Sequence, residues 1–239
     1  MTADEEPEPE RDPFASWVLS QITENERGEK TASADLLAYV RRRDMGTPRE
    51  FDHATIDDFI VGNTGQQKFK QGAIHWVSQC LHPGGKHGLI LTGPTGIGKS
   101  HLAIAALKKL CRCSMSPQYI DYRRMLEDLR SYSWDFNPVD HWSSMDAILI
   151  DEFGSVEATR AQMERFCTIL ALRANSYAPT ILTSNLDFPI SWAGSGNQKG
   201  QGCLLDDRMI SRISGQYIII QDLHREISDY RVTAQEGRK

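Results

Sequence analysis

The length and composition of the chain are those of an ordinary globular protein. Its 239 residues are 40% apolar and 25% charged, which excludes a wholly disordered chain and a fibrous repeat. No apolar run approaches the ~18 residues that a membrane span requires, and the acidic N-terminus is unlike a signal peptide. We therefore expect a cytoplasmic protein. The 5 cysteines include one C-x-C pair, Cys111 and Cys113, with no second pair at zinc-site spacing, which favours reduced thiols.

The net charge of −5 is unevenly distributed along the chain. Residues 1–60 carry 15 acidic and 7 basic side chains, whereas residues 61–239 carry 17 acidic and 20 basic ones. The acidic total therefore does not exclude a nucleic-acid partner for the larger part, although it argues against a strong non-specific DNA binder.

The first 50 residues predict an appendage to the main domain. Residues 1–12 are rich in Glu, Asp and Pro, which is typical of a disordered tail. Apolar residues at helical spacing then predict two short helices, one around Phe14 to Ile22 and one around Leu36 to Val40. These helices either pack on the main domain or form a docking arm for a partner protein. We assign residues 1–50 to this helical arm and residues 51–239 to the main domain.

Helices and strands are predicted to alternate from residue 68 onward. The strands are apolar throughout, which is typical of a parallel sheet covered by helices on both faces, so the sequence predicts a three-layer α/β fold. The predicted strands are 88–92, 119–121, 147–151, 180–183 and 217–220, and the predicted helices are 69–80, 101–110, 123–132, 157–176 and 204–213.

A glycine-rich segment between the first of these strands and the next helix has the pattern G-x-x-x-x-G-K-[ST]. It predicts a P-loop, because glycines allow backbone N–H groups to surround phosphate oxygens and the helix N-terminus adds positive charge. Lys99 is expected to reach the β- and γ-phosphates of ATP, and Ser100 to ligate Mg²⁺. The segment consists of Gly93, Pro94, Thr95, Gly96, Ile97, Gly98, Lys99 and Ser100.

Two acidic residues, Asp151 and Glu152, close the strand predicted at 147–151. Ligands bind at the carboxyl ends of parallel strands, so both side chains are expected to face the P-loop. Asp151 suits the Mg²⁺ shell, and Glu152 suits a general base that activates water, which favours an ATP hydrolase over a nucleotide kinase. Asn185, after the next strand, either holds this water or is a turn residue that caps the strand.

These motifs, in this order and spacing, resemble those of the AAA+ ATPases of the DnaC/IstB group. The resemblance covers about residues 51–231. Within the group, the chain most resembles the bacterial DnaC-type helicase loaders. It is carried by the P-loop together with Ile150–Gly154, Thr183–Asn185, Asp207–Arg212, Ser228–Arg231 and Thr55–Asn63.

The resemblance implies roles for five further residues. Phe59 and Ile60 fall in the segment that covers the adenine in this group. Arg212 takes the position of an arginine finger that enters the ATP site of a neighbouring subunit, and Arg208 that of a second basic residue in the same segment. Arg231 takes a role similar to that of the sensor-2 arginine.

The segment after the second predicted strand is a candidate DNA-binding region. In helicase loaders and initiators of this group, the corresponding region helps to line a channel for single-stranded DNA. The candidates are Tyr122, Arg123 and Arg124, with Trp134 as a further one, since basic side chains contact phosphates and aromatic rings stack on bases. The alternative is a surface helix with a solvated basic face.

The resemblance thus implies a slow ATPase that DNA or a partner stimulates. It would bind ATP and Mg²⁺, self-associate, and load a hexameric DnaB-type replicative helicase onto single-stranded DNA. The alternative is a transposition helper similar to IstB, which assembles on duplex DNA and recruits a transposase.

A stretch rich in Gly, Ser and Gln, residues 193–202, is expected to form a mobile loop before the Arg208–Arg212 helix.

Overall fold

A computed structural model describes residues 22–24, 30–32, 40–113, 115–131, 133, 135–189, 192 and 205–222. Its strands are β1 (Ile22–Glu24), β2 (Lys30–Ala32), β3 (Gly88–Thr92), β4 (Gln118–Asp121), β5 (Ile148–Phe153), β6 (Thr180–Ser184) and β7 (Tyr217–Gln221). Its helices are α1 (Thr64–Gln79), α2 (Lys99–Leu110), α3 (Tyr122–Asp128), α4 (Pro138–Ser144), α5 (Arg160–Asn175) and α6 (Asp207–Gln216).

Five parallel strands form the central sheet in the order β4-β5-β6-β3-β7. Side chains alternate between the two faces along each strand. Leu89 and Leu91 therefore pack with α1 and α2 on one face, whereas Ile90 packs with α3, α5 and α6 on the other. Both faces of the sheet are covered, so the predicted three-layer α/β fold is confirmed.

Polar caps explain why several helices begin elsewhere than the apolar spacing predicts. Asn63 accepts a hydrogen bond from the N–H of Gln66, so α1 starts at Thr64, ahead of its first apolar residue. Thr159 and Gln162 form a reciprocal capping box, which starts α5 at Arg160. Helix α4 was not predicted, because its seven residues carry too little apolar periodicity to register.

The described part of the N-terminal arm contains a strand at the end of the first predicted helix. Residues Ile22–Glu24 pair antiparallel with Lys30–Ala32, so Ile22 belongs to a strand and its assignment to a helix was wrong. The β-branched residues Ile22, Thr23 and Thr31 favour this extended conformation. Val40 is helical, as predicted, and the remainder of both predicted helices lies outside the described residues.

Two further predictions concern a loop and the absence of a membrane span. The stretch expected to form a loop at residues 193–202 lies outside the part of the chain that the structure describes. Of the helices in the described part, none is both long enough and apolar enough to cross a membrane.

Candidate functional site

The P-loop connects β3 to α2 and forms one wall of a cleft at the carboxyl edge of the sheet. Gly96 and Gly98 have φ values of +89° and +92°, which a residue with a Cβ rarely adopts, and α2 begins immediately after Gly98. The cleft has a volume of about 420 Å³, and Glu152 and Asn185 also line it. The first N–H groups of α2 have no partner within the helix, which suits them to bind an anion in the cleft.

Lys99 is a buried cation whose ammonium group is held by oxygen atoms. The residue is 7% exposed, and Nζ donates hydrogen bonds of 2.8 Å to the carbonyls of Gly93 and Pro94 and to Oδ1 of Asn185. Burial lowers the pKa of Lys99 to about 8, although the nearby carboxylates of Asp151 and Glu152 oppose the shift. A phosphate oxygen could replace these partners and compensate the charge.

The carboxylate of Asp151 accepts hydrogen bonds from three hydroxyl groups. Ser100 Oγ lies 3.0 Å from its Oδ1, Tyr119 donates to its Oδ2 at 3.2 Å, and Thr183 Oγ1 also donates to Oδ1. Mg²⁺ prefers oxygen ligands and commonly takes one or two carboxylates together with substrate phosphates. The adjacent hydroxyl and carboxylate oxygens of Ser100 and Asp151 fit such an ion.

Glu152 lies at the edge of the cleft in an unusual backbone conformation. Its φ is +59°, and the pairing of β5 with β6 shifts register between Ile150 and Phe153. A non-glycine residue in this region costs about 1–3 kcal/mol, and such strain is concentrated at functional sites. The conformation turns the exposed side chain of Glu152 into the cleft, whereas Asp151 stays buried.

Thr183 and Tyr119 belong to this site, although sequence reasoning assigned them no role. The Thr183 hydroxyl accepts the N–H of Glu152 at 3.0 Å and donates to Asp151, so one side chain holds both acidic residues. The only signal for them is strand pairing, because both belong to strands that neighbour β5 and their side chains reach Asp151 at its carboxyl end.

The predicted adenine contacts are not found in the cleft. Phe59 is 1% exposed and packs in the core with α1 and α2, with its ring 5.7 Å from that of His101, so its role as a nucleotide contact stays a prediction. Ile60 is half-buried and does not line the cleft either. The cleft is lined instead by three other residues from outside the predicted set, Glu50, Phe51 and His101. Burial lowers the pKa of His101.

The predicted DNA contacts are only partly at the surface. Tyr122 is completely buried, with its ring against Phe153 and Phe166, so it has no face available for a base and its assignment was wrong. Arg123 and Arg124 are exposed at the start of α3, where Asp121 caps their backbone N–H groups. Trp134 lies outside the described residues.

The two arginines of α6 lie at the surface of the protein. Both Arg208 and Arg212 are exposed and neither lines the cleft; Arg212 donates to the carbonyl of Ala171 on α5 at 3.5 Å. Arg231 lies outside the described residues.

The parallel sheet, the P-loop and the strand-terminal acidic residues together define a P-loop protein of the AAA+ class. The chain belongs to the family of IstB-like ATP binding proteins, whose family model matches residues 50–218. Nucleotide binding follows from this membership and from the geometry of the cleft.

Two relatives in sequence are ATP-binding proteins of insertion sequences. One is assigned to insertion sequence IS1162 of Pseudomonas fluorescens and is 32% identical over 123 residues, 50% of this chain and 50% of that protein. The other, Rv3427c of Mycobacterium tuberculosis, is 30% identical over 110 residues, 44% of this chain and 43% of that protein. The chain thus matches about half the length of each.

Solved structures of replication proteins share the fold. The DnaC helicase loader has a TM-score of 0.58 at 19% identity, covering 73% of this chain and 99% of that one. DnaI has a TM-score of 0.60 at 25% identity, covering 76% and 95%. DnaA from Aquifex aeolicus, bound to AMPPCP, has a TM-score of 0.59 at 17% identity, covering 77% and 55%.

Proposed function

We propose that the chain hydrolyses ATP in the presence of Mg²⁺. The observation that carries this proposal is the arrangement of Asp151 and Glu152, which are adjacent in sequence but held in different environments by Thr183. Asp151 is buried beside Ser100, as suits a ligand of Mg²⁺. Glu152 faces the cleft, where a carboxylate can orient a water molecule and accept its proton.

We further propose that the site is completed by a second copy of the chain. Arg212 is exposed and does not line its own cleft, so it is available to a neighbouring subunit's ATP. A guanidinium supplied in this way stabilises the charge that develops on the transferred phosphoryl group. Arg208 lies one turn earlier on the same helix and would contact the same neighbour. For Arg231, the sensor-2-like role remains a proposal from the sequence alone.

The partner that we propose for this ATPase is a replicative helicase, with single-stranded DNA bound near Arg123 and Arg124. Support comes from DnaI, whose chain is 95% covered at 25% identity, and from the DnaC helicase loader, which shares the fold. The N-terminal arm, residues 1–50, is the proposed docking element for the helicase.

A second candidate function is that of a transposition helper that acts on duplex DNA. It is favoured by a specific observation, because both sequence relatives described above belong to insertion sequences. The two candidates share the ATP site and differ in the partner that the ATPase delivers or recruits.

The deciding experiment uses the full chain carrying Glu152→Gln, which should retain ATP and so trap the assembled state. We expect this variant, with ATP and Mg²⁺, to form a complex with a hexameric replicative helicase and to increase its loading on circular single-stranded DNA. Lys99→Ala is the matched control and should do neither. Assembly on duplex DNA with capture of a transposase, and no helicase complex, would instead support the transposition helper.

A further inference from the structure

A basic groove lies between the segment that leads into the ATPase core and the end of α2. Its volume is about 920 Å³, and six cationic side chains face two carboxylates in it, in a chain whose net charge is −5. The cations are Arg42, Arg43, Arg49, Lys108, Lys109 and Arg112, and the carboxylates are Asp52 and Asp57. Neither the ATP site nor the proposed contacts of α3 use these residues.

Hydrogen bonds hold the two walls of the basic groove together. Lys108 Nζ donates to the carbonyl of Asp52 at 2.9 Å and to that of Ala54 at 3.4 Å, and it also bonds the carbonyl of Phe51. From the other wall, Arg41 donates to the carbonyl of Cys111 at 3.2 Å. The groove is therefore preformed, which reduces the entropy lost when a ligand binds.

The positive charge of the groove is concentrated enough for its members to affect one another. Burial lowers the pKa of Lys108, Asp52 opposes this shift, and Arg42 adds to it. Lys109 pairs with Asp57 at 3.6 Å, but the Asp57 side chain is 83% exposed, so this pair contributes little and is readily exchanged. Arg43, Arg49 and Arg112 are exposed. An anionic ligand would relieve the mutual repulsion of these groups.

The lining of the groove indicates what kind of anion it suits. Its described residues include no aromatic ring except the imidazole of His53, so it offers no platform on which unpaired bases could stack. They also include no apolar side chain larger than the alanines Ala54 and Ala105, so an acidic peptide would find no pocket for its apolar residues. Guanidinium groups on both walls suit phosphates, which they bind in a bidentate manner.

We propose that the basic groove binds the phosphodiester backbone of duplex DNA. This inference rests on the second candidate function, in which the ATPase acts on duplex DNA, and it names a surface that would contact that duplex. The groove lies on the sheet face covered by α1 and α2, whereas Arg123 and Arg124 belong to α3 on the opposite face. The two surfaces can therefore be removed separately by mutation.

The test compares two full-length double variants with the same change in charge. Arg43→Ala with Arg112→Ala removes one cation from each wall of the groove. Lys68→Ala with Arg160→Ala removes two exposed cations from α1 and α5, outside both surfaces. Anisotropy of a short labelled duplex is measured over a salt series, and ATP hydrolysis without DNA reports whether the fold and site are intact.

We expect the groove variant to bind duplex DNA on the order of 10- to 100-fold more weakly at low salt, with basal ATP hydrolysis unchanged. The slope of log K against log salt should become shallower by roughly 1.8, because two phosphate contacts are lost and their counterions are no longer released on binding. The control variant should keep most of the wild-type slope.

Three outcomes would overturn the proposal. Equal losses in both variants would mean that only net charge matters, and an unchanged slope in the groove variant would mean that DNA binds elsewhere. Weaker binding of poly-glutamate with unchanged duplex binding would assign the groove to an acidic protein segment. Failure of the proposed ATPase function is distinguishable, since it would appear in the wild-type chain as absent ATP hydrolysis, whatever the duplex binding.

Discussion

Glu152 combines an exposed carboxylate with a left-handed backbone, and the role of the carboxylate can be tested without changing the backbone. Glu152→Gln keeps the size and backbone of the residue but removes its capacity to accept a proton. We expect ATP binding to persist while turnover falls by about 10²-fold or more, as is usual when a general base is lost. Single-turnover hydrolysis and ATP titration measure the two quantities. A wild-type rate in this variant would remove Glu152 from the mechanism.

Thr183 is expected to act by positioning the acidic residues, since it contacts both of them. Thr183→Val preserves the shape of the side chain but leaves the N–H of Glu152 without its acceptor and removes one of the three hydroxyl donors to Asp151. The loss of one such hydrogen bond in the transition state corresponds to about 1.4 kcal/mol, so kcat should fall about 10-fold with a smaller change in KM. Thr183→Ser restores the hydroxyl and should recover most of kcat, which a purely structural role in packing would not require.

Lys99 predicts a specific pH dependence of ATP binding. Its pKa of about 8 is lowered by burial, and a bound triphosphate would raise it by adding negative charge. Well below pH 8 the ammonium is charged with or without ATP, so Lys99 adds no pH dependence to the affinity. Above pH 8 binding must take up a proton, so the association constant should fall by up to about tenfold per pH unit.

Titration calorimetry at several pH values measures this slope for Lys99. Lys99→Arg is the matched control, since a guanidinium stays charged across the range and should abolish the dependence. A wild-type affinity that stays flat above pH 8 would contradict the lowered pKa.

Individual site residues could be predicted from the sequence where a motif has a fixed place on a strand or loop. Lys99, Ser100, Asp151 and Glu152 meet in one cleft because parallel strands end at the same edge of the sheet. Tyr122 was misassigned because nothing in its local pattern shows that the first residue of α3 points inward. Residue contacts across strands, as at Thr183, depend on register, which the sequence alone does not specify.

Among the helices and strands, Arg173 shows how a charged residue can serve the core. It is completely buried near the end of α5, where it donates to the Thr180 hydroxyl at 2.9 Å and to the carbonyls of Met145 and Pro179 at 2.7 and 2.8 Å. It also donates to the carbonyl of Trp142 at 3.1 Å. One guanidinium therefore joins α5 to the ends of α4 and β6.

Arg173→Met should destabilise the protein by about 3 kcal/mol, because several buried carbonyls lose a charged donor. Arg160→Met is the control, since Arg160 is exposed on the same helix and should change stability by less than about 0.5 kcal/mol. Urea unfolding at constant protein concentration measures both. Equal midpoints for the two variants would contradict the structural role of Arg173.

Helices and strands with strong apolar patterns were predictable, and the others were not. All five strands of the central sheet were predicted within about two residues, because buried parallel strands are continuous apolar runs. Helix α4 is short, and its start is marked by the cap residue Asn137 and by Pro138, which are residue types that also occur in loops. The pairing of β1 with β2 is a contact between segments, and three residues per strand leave little periodic signal.

In the molecule as a whole, a short segment lies between the nucleotide cleft and the basic groove. Arg49 lines the groove, whereas its neighbours Glu50 and Phe51 line the cleft. A ligand that shifts this segment therefore has a direct route to the other site. Any such effect on affinity must be reciprocal, so ATP should change the affinity for DNA by the same factor as DNA changes that for ATP.

The assembly of subunits is the last property to test, and it depends on Arg212. If Arg212 acts on the ATP of a neighbour, Arg212→Ala should bind ATP normally but hydrolyse it poorly, since a finger acts on charge in the transition state. Lys99→Ala should be inactive for the opposite reason, because its own cleft binds ATP weakly. Mixed assemblies contain interfaces that pair an intact P-loop with an intact finger, so hydrolysis should partly return when the two inactive variants are combined. The mixture is assayed at concentrations where co-assembly is demonstrated by light scattering. Absence of recovery there would mean that Arg212 acts within its own subunit or only stabilises the contact between α6 and α5.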